Sequence, residues 1–436
     1  MLALEVEFDA KVVLMKEKIT TGLLGLGKVG RNLLLQYSIR NHRFKISWIA
    51  DSRRFLTKRN QEPFSKKDVR KILGLRDRAL KAGHCPEYEG HVSGCRVYDF
   101  DDLTNEISIL RELTSDTLRH SVILDTTSSN AHTDAEIAQN IMGCLAFCTG
   151  NKAPWADYGI SLHLYREAKR STTFLGLNCT VGVWVDQMEI LPIVAQALKS
   201  GGVQFLKRDN SSFNLFFAKV ASGIAADRAI VEIGAKGHLE KMGPDALSAE
   251  VKDQMLKASI AANICGILRG QSPSATQTSL EAILRQGPSS VKPTDIARWH
   301  REGRKLGEYR ALISEIIIDA ESLEWRVGFD KLPYGHPLAR DFIEKCAISV
   351  QVIQDSKFNW SSDDLHSKCA HRSFVYSGYG GAVRTAAKLL WEVERAISLS
   401  QLRLDQECFP LPVLCSLALG RRDAVNLQRK LARNLA

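Results

Sequence analysis

Thr21-Gly-Leu-Leu-Gly25-Leu-Gly27-Lys-Val-Gly30-Arg-Asn-Leu-Leu-Leu35 decides how the rest of this chain is read. An apolar run ends in Gly25-x-Gly27-x-x-Gly30, and a helical pattern begins at once. That order predicts a strand, a tight turn and a helix N-terminus. Gly25 permits the turn, Gly27 lets backbone approach a pyrophosphate, and Gly30 lets the helix pack closely on the strand. The helix start offers free N–H groups and partial positive charge to phosphates. Asp51 follows at about twenty residues, the interval that places an acid on a ribose. The stretch therefore predicts a dinucleotide site built from Gly25, Gly27, Val29, Gly30 and Asp51.

Outward from it, residues 20–154 alternate strands and helices. Ile46–Ala50, Gly94–Tyr98, Val122–Asp125 and Leu145–Cys148 read as further strands. Alternation of this kind predicts an α/β, Rossmann-type, doubly wound parallel sheet. Ligands of such sheets sit at the C-terminal strand ends. Thr127, Ser128, Asn151 and Lys152 are thereby placed around one crevice with Gly25 and Asp51. The hydroxyls at 126–129 suit either cofactor oxygens or an ordinary helix cap.

Residues 155–375 read as a second, α+β domain, with strand-like runs near 172–185, 203–207, 213–218 and 314–328. Gln271 to Pro293 reads as a loop. Residues 1–19 read as an N-terminal extension and 401–436 as a helical tail.

The chain has 436 residues and a net charge of +10. Much of that charge lies in 53–81, with eleven Lys/Arg against three Asp/Glu. A solvated helical insertion over 53–84 is the expectation. A polyanion patch is the alternative, but only Phe55 and Phe64 interrupt it, so base stacking is not expected. Ten scattered cysteines form no metal-ligand pattern. Absence of a secretory or membrane-spanning signature fits a cytoplasmic protein with free thiols and no membrane partner.

Residues 248–266 read as a helix with Val251, Met255, Ala258, Ala262 and Cys265 on one apolar stripe. Lys252, Ser259 and Asn263 form a polar side. Asp253 and Lys257 line up instead with Ile260 and Ile264, so this acid–base pair is expected to be partly buried. Burying two charges is costly and invites a functional reason; a structural i, i+4 bridge is the plainer alternative. Desolvation moves amines toward the range useful for proton transfer.

Taken in order, these motifs resemble homoserine dehydrogenase over residues 20 to 400. Gly25-Leu-Gly27-Lys-Val-Gly30 is similar to that family's cofactor loop. Thr149-Gly-Asn151-Lys152 is similar to its Thr-Ala-Asn-Lys. Gly237-His-Leu-Glu240, Pro244-Asp245 and Asp253-Gln-Met-Leu-Lys257 are similar to its Gly-Tyr-x-Glu…Pro…Asp-x-x-x-Lys. Pro333-Tyr-Gly-His336 and Gly378-Tyr-Gly380-Gly381-Ala-Val-Arg-Thr385 complete the order.

The resemblance implies Lys257, Lys152 and Asp253 as catalytic groups, with the two lysines converging beside a nicotinamide. It implies Glu240 on the substrate's amino group, with Asp245 and Ser212 near the substrate and Gly380 near the cofactor; His238, close to Glu240, either lines the substrate site or packs as an ordinary histidine. It also implies that 155–375 is a substrate-binding and dimerisation domain of a homodimer, that a helix over 376–400 returns to the nucleotide domain, a role in threonine and methionine biosynthesis, and hydride transfer between L-homoserine and L-aspartate 4-semialdehyde. Arg53, Arg54 and Lys58 could hold a ribose phosphate against the repulsion of Asp51, which tips NADP ahead of NAD.

Three departures stand out. The family's Glu-x-x-Val-Gly is Asn178-Cys-Thr-Val181-Gly182 here, which removes a carboxylate. Its proline-bearing bend is Val183-Trp184-Val-Asp186, and its Asn-Gly-Thr is Asn210-Ser211-Ser212. A dehydrogenase for another amino-alcohol/aldehyde pair and a nucleotide-binding sensor without turnover are the competing readings.

Overall fold

The computed structural model describes residues 19–51, 53–59, 62–100, 121–127, 136–138, 140, 143–181, 203–209, 211–235, 238–239, 241–276, 279–318, 321–333, 346–353, 374–378 and 381–401. Ser128, Glu240 and Gly380 lie outside these residues, as do Trp184, His336, residues 1–18 and residues 402–436.

The first sheet begins with β1 (Thr20–Leu24), α1 (Lys28–Ile39) and β2 (Lys45–Ala50), followed by β3 (Arg54–Lys58), α2 (Lys66–Ala82) and β4 (Cys95–Asp99). It continues through β5 (Ser121–Asp125), β6 (Ala146–Thr149), α3 (Ala153–Ala156), α4 (Tyr158–Arg170) and β7 (Phe174–Gly176). The strand order is β4-β3-β2-β1-β5-β6-β7. β2, β1, β5, β6 and β7 pair in parallel, while β3 runs against both its neighbours. The apolar residues Leu23, Leu24, Val122, Ile123 and Leu124 of β1 and β5 are fully buried. Such runs suit strands covered on both faces.

Two expectations change here. Residues 53–84 are not wholly helical, because Arg54–Lys58 is a strand with Phe55 and Leu56 in the core. Its short apolar centre, flanked by cations, hid it. Helix α2 starts only at Lys66, behind a reciprocal Ser65/Asp68 capping box, and ends at Gly83 in a left-handed cap. It buries Val69, Ile72 and Leu73 and leaves Lys67, Arg70, Lys71, Arg78 and Lys81 exposed, a solvated basic face. In addition, Phe174–Gly176 pairs with β6, so the first sheet extends past residue 154.

After α5 (Asn178–Val181) the second layer comprises β8 (Val203–Asp209), α6 (Ser211–Ala221), α7 (Ala226–Ala235) and α8 (Ala246–Arg269). Then come β9 (Ser274–Thr276), α9 (Leu280–Leu284), α10 (Pro293–Lys305), β10 (Glu308–Ile318), β11 (Leu323–Pro333), β12 (Cys346–Ile353), β13 (Phe374–Gly378) and α11 (Ala382–Gln401). The second sheet runs β13-β12-β8-β10-β11-β9.

Residues 213–218 are helical, not extended. Phe213, Phe216, Phe217 and Val220 repeat at helical spacing and are buried, but the near-continuous apolar run masked that period. The 314–328 run is a hairpin of two strands. Nor is 271–293 a plain loop: it contains β9 at the sheet edge and α9, capped by Ser279.

Helix α8 joins the layers. Ile260, Ala261, Ile264 and Cys265 share one apolar cluster with Trp155, Leu164 and Leu175 on one side and Ile316, Ile318 and Leu323 on the other. Each fully buried isoleucine contributes about 1.5–3 kcal/mol relative to exposure. The expected polar side of α8 is mostly interior: Ser259 and Asn263 are buried, and only Lys252 is exposed. Helix α11 packs Ala386, Leu389, Leu390 and Val393 into the cluster that holds α1, α2 and the first sheet.

Candidate active site

The glycine loop is shaped by close walls on two sides and space on the third. Gly25 has φ +89, and a Cβ there would meet the Thr126 backbone at 2.8 Å. A Cβ on Gly30 would meet the Gly25 carbonyl oxygen at 2.0 Å. A Cβ on Gly27 would meet nothing within 4 Å. The loop thus packs its outer glycines and leaves open space at the middle one, which is also the N-cap of α1 and has no side-chain cap. That cradle fits a phosphate approached by backbone N–H groups. Val29 is partly buried against the core behind it.

Asp51, at the end of β2, accepts at Oδ1 from the Arg53 and Arg54 amides, both at 2.9 Å. Its carboxylate braces the β2–β3 turn. Two of the three nearby cations are engaged elsewhere: Arg54 pairs with Asp99 at 3.2 Å, and Lys58 with Asp68 at 2.8 Å. Arg53 lies exposed at the turn, its guanidinium 3.9 Å from the Cys85 thiol.

Across the crevice, the ends of β5 and β6 are tied together. Asn151 donates from Nδ2 to Thr127 Oγ1 at 3.0 Å, and its amide donates to Thr149 Oγ1 at 2.9 Å. Thr126 donates back to the Leu24 and Gly25 carbonyls, at 2.9 and 2.7 Å, so its hydroxyl serves the loop.

Lys152 follows Asn151 and meets α8. Its Nζ lies 3.0 Å from Asp253 Oδ1, and Lys257 pairs with the other oxygen of the same carboxylate. The Asp253 side chain is 5% exposed, Lys152 21% and Lys257 17%. Burial alone would raise the Asp253 carboxyl, but two adjacent ammonium groups outweigh it and hold it well below the usual carboxylate range. The three groups carry one net positive charge. The register of this meeting is set further along α8, where Ser259 Oγ donates to the Ala156 carbonyl at 2.5 Å and Asn263 Nδ2 to the Trp155 carbonyl at 2.9 Å.

Ser212 Oγ donates to the His238 carbonyl at 2.7 Å, which joins α6 to the segment after α7. Asp245 is exposed at the N-cap of α8 and makes no side-chain cap. It lies about 12 Å along the helix axis from Asp253.

Two buried acids escaped the sequence reading. Asp125, at the end of β5, accepts from Thr127 and from Thr149. Glu392 on α11, 1% exposed, accepts at Oε1 from the Asn178 amide at 3.1 Å. The first had a signal, since an Asp directly before a Thr-Thr pair at a strand end suits an Asx-type bond. The second had none.

Among the described residues there is no cluster of His, Cys, Asp and Glu fit for a metal ion. No described helix is long and apolar enough to cross a membrane.

No protein-family model matches the chain, and no curated protein matches it either. Solved structures do. A Candida auris protein described as of unknown function superposes with a TM-score of 0.58 at 16% identity, covering 87% of this chain and 98% of that one. A hyperthermophilic archaeal homoserine dehydrogenase in complex with NADPH gives 0.57 at 17%, covering 87% and 98%. A homoserine dehydrogenase from Thermoplasma acidophilum gives 0.54 at 15%, covering 88% and 100%. At such identities the likeness concerns architecture: this chain has the fold of the homoserine dehydrogenases.

Proposed function

We propose that this protein is a nicotinamide-dependent oxidoreductase of homoserine dehydrogenase type, interconverting L-homoserine and L-aspartate 4-semialdehyde. The observation that carries the proposal is the convergence of Lys152 and Lys257 on Asp253. The nicotinamide, when bound, supplies the hydride acceptor or donor. The chain's own groups manage charge and one proton. Lys257 returns a proton to the aldehyde oxygen in reduction, or takes it from the hydroxyl in oxidation. Lys152 supplies a second cation against the developing oxyanion. Asp253 holds both ammonium groups in place, and the open cradle at Gly27 receives the pyrophosphate. NADP is favoured over NAD on Arg53, the exposed guanidinium beside the Asp51 turn. Glu240 and Ser128 take the substrate ammonium and cofactor oxygens in this reading.

A second reading, a different amino-aldehyde substrate, is favoured by one observation. Where the family has a carboxylate, Asn178 stands, and its backbone engages the Glu392 carboxylate from another helix.

The test is a nicotinamide absorbance assay offering homoserine with NADP and with NAD, run on wild type and Lys257→Ala. Turnover with NADP that the substitution abolishes supports the first reading. Bound nucleotide without turnover of homoserine rejects it, and turnover of a longer or shorter amino alcohol establishes the second.

A further inference from the structure

The polarity of the hydrogen bonds beneath Lys152 assigns a role to Asp125, and we propose that Asp125 is the residue that positions Lys152. The inference rests on the dehydrogenase reading for its catalytic readout only.

Asp125 is 5% exposed, at the C-terminal end of β5, an interior strand beside β1. An ionised carboxylate can only accept. Its Oδ1 accepts from the Thr127 amide at 2.9 Å and the Thr127 hydroxyl at 2.6 Å. Its Oδ2 accepts from the Thr149 hydroxyl at 2.8 Å. Both threonine protons are thereby committed to the carboxylate, and both hydroxyl oxygens are left with lone pairs facing the next strand end. Asn151 meets both, giving its side-chain amide to Thr127 Oγ1 and its backbone N–H to Thr149 Oγ1. The orientation of the Asn151 amide is then fixed, because its Oδ1 must accept from the Ala153 N–H at 3.2 Å. The backbone N–H groups of the residues before and after Lys152 are both engaged, and the start of α3 is closed by the Trp155 and Ala156 amides, each donating to the Lys152 carbonyl at 3.1 Å. The carboxylate orients both threonine hydroxyls, the Ala153 N–H orients the Asn151 amide, and Lys152 Nζ arrives 3.0 Å from Asp253 at the end of this chain of contacts.

Asp125→Asn keeps shape and reverses one direction. The new amide donor faces the Thr149 hydroxyl, which must turn its proton away and accept from residue 125 and Asn151 at once, so its bond to the strand end is re-aimed. A buried structural acid would lower stability without regard to Lys152. A positioning acid acts through Lys152, so its effect vanishes when Lys152 is absent.

The experiment compares wild type, Asp125→Asn, Lys152→Ala and the double variant, with Thr149→Val as a second break in the same relay. The expected result is a fall in kcat on the order of 10²-fold for Asp125→Asn, the scale of a small misplacement of a reacting group. The double variant is expected to be no slower than Lys152→Ala. A further fall in the double variant, or wild-type kcat in Asp125→Asn, overturns the proposal.

A second measurement does not need turnover. Trace labelling with acetic anhydride, read by mass spectrometry of the Lys152 peptide, should proceed several-fold faster in Asp125→Asn and Thr149→Val, with Lys257 labelling unchanged. Unchanged Lys152 labelling in both overturns the inference. Absence of homoserine turnover in wild type with altered Lys152 labelling in the variants overturns the enzymatic reading alone.

Discussion

Two buried ion clusters in this chain have opposite stoichiometry. Lys152, Asp253 and Lys257 set two cations against one acid. Arg326 sits between Glu315 at 2.7 Å and Asp330 at 2.8 Å, one cation for two acids. The second cluster is made locally: Glu315 and Arg326 are direct cross-strand partners, and Asp330 is four residues on, on the same face of β11. Burial would lower the Arg326 guanidinium, but Asp330 and Glu315 more than reverse that and fix it as a cation. It explains itself as a register lock for the hairpin.

The first cluster joins a strand end of one sheet to a helix of the other layer and leaves positive charge in excess. Such an arrangement is a poor device for stability, because desolvating an unmatched charge is costly. It is a good device for meeting negative charge that appears during a reaction.

The contrast can be broken most directly at Lys257. Lys257→Ala is expected to cost on the order of 10³-fold in kcat, the range for loss of a positioned proton donor. Thermal stability should change little, since one ammonium still faces Asp253; steady-state kinetics alongside a melting curve checks both. Asp253→Ala should do the reverse in stability, leaving two buried ammonium groups together and costing about 3 kcal/mol in a denaturant titration.

The acid limb sharpens the contrast from outside either cluster. His300 stacks on Phe217 with ring centroids 4.1 Å apart and bonds the Arg310 carbonyl. Burial lowers it from 6.5 to about 4. Between those values the unfolded chain binds the extra proton, so stability is full above pH 6.5 and is lost as pH falls toward 4, by about 3 kcal/mol. Asp253, held low, contributes loss only below pH 3.8. His300→Phe should remove the upper limb of a pH–stability curve, whereas a limb that persists would assign it to other groups.

The smallest effect is expected at Arg326. Arg326→Met should cost about 2 kcal/mol, discounted for its partial exposure, with kcat unchanged. A fall in kcat there would dissolve the distinction between the two clusters.

How much of this was legible in the sequence follows from the range of the interactions. The glycine loop and the Asp253/Lys257 spacing are written locally, because turn geometry and helical period act within a few residues. The strand Arg54–Lys58 was obscured by its cations; β7 falls in an expected strand-like run, but its place in the first sheet rests on a pairing with β6 that no local pattern carries. Ser259 and Asn263 looked solvated because a helical wheel shows one helix, whereas α8 has a layer on each side. Asp125 carried a local signal for its bonds to Thr127 but none for Thr149 on β6, and Glu392 carried none for Asn178.

The grip of Ser259 and Asn263 on two successive carbonyls of α3 has a mechanical consequence. It splices the strand end bearing Lys152 to the helix bearing Asp253, so these two elements travel as a single body. Ligand traffic must then pass without parting them. A disulfide introduced by Ala156→Cys and Ser259→Cys across that splice would leave the catalytic cycle running at its ordinary pace.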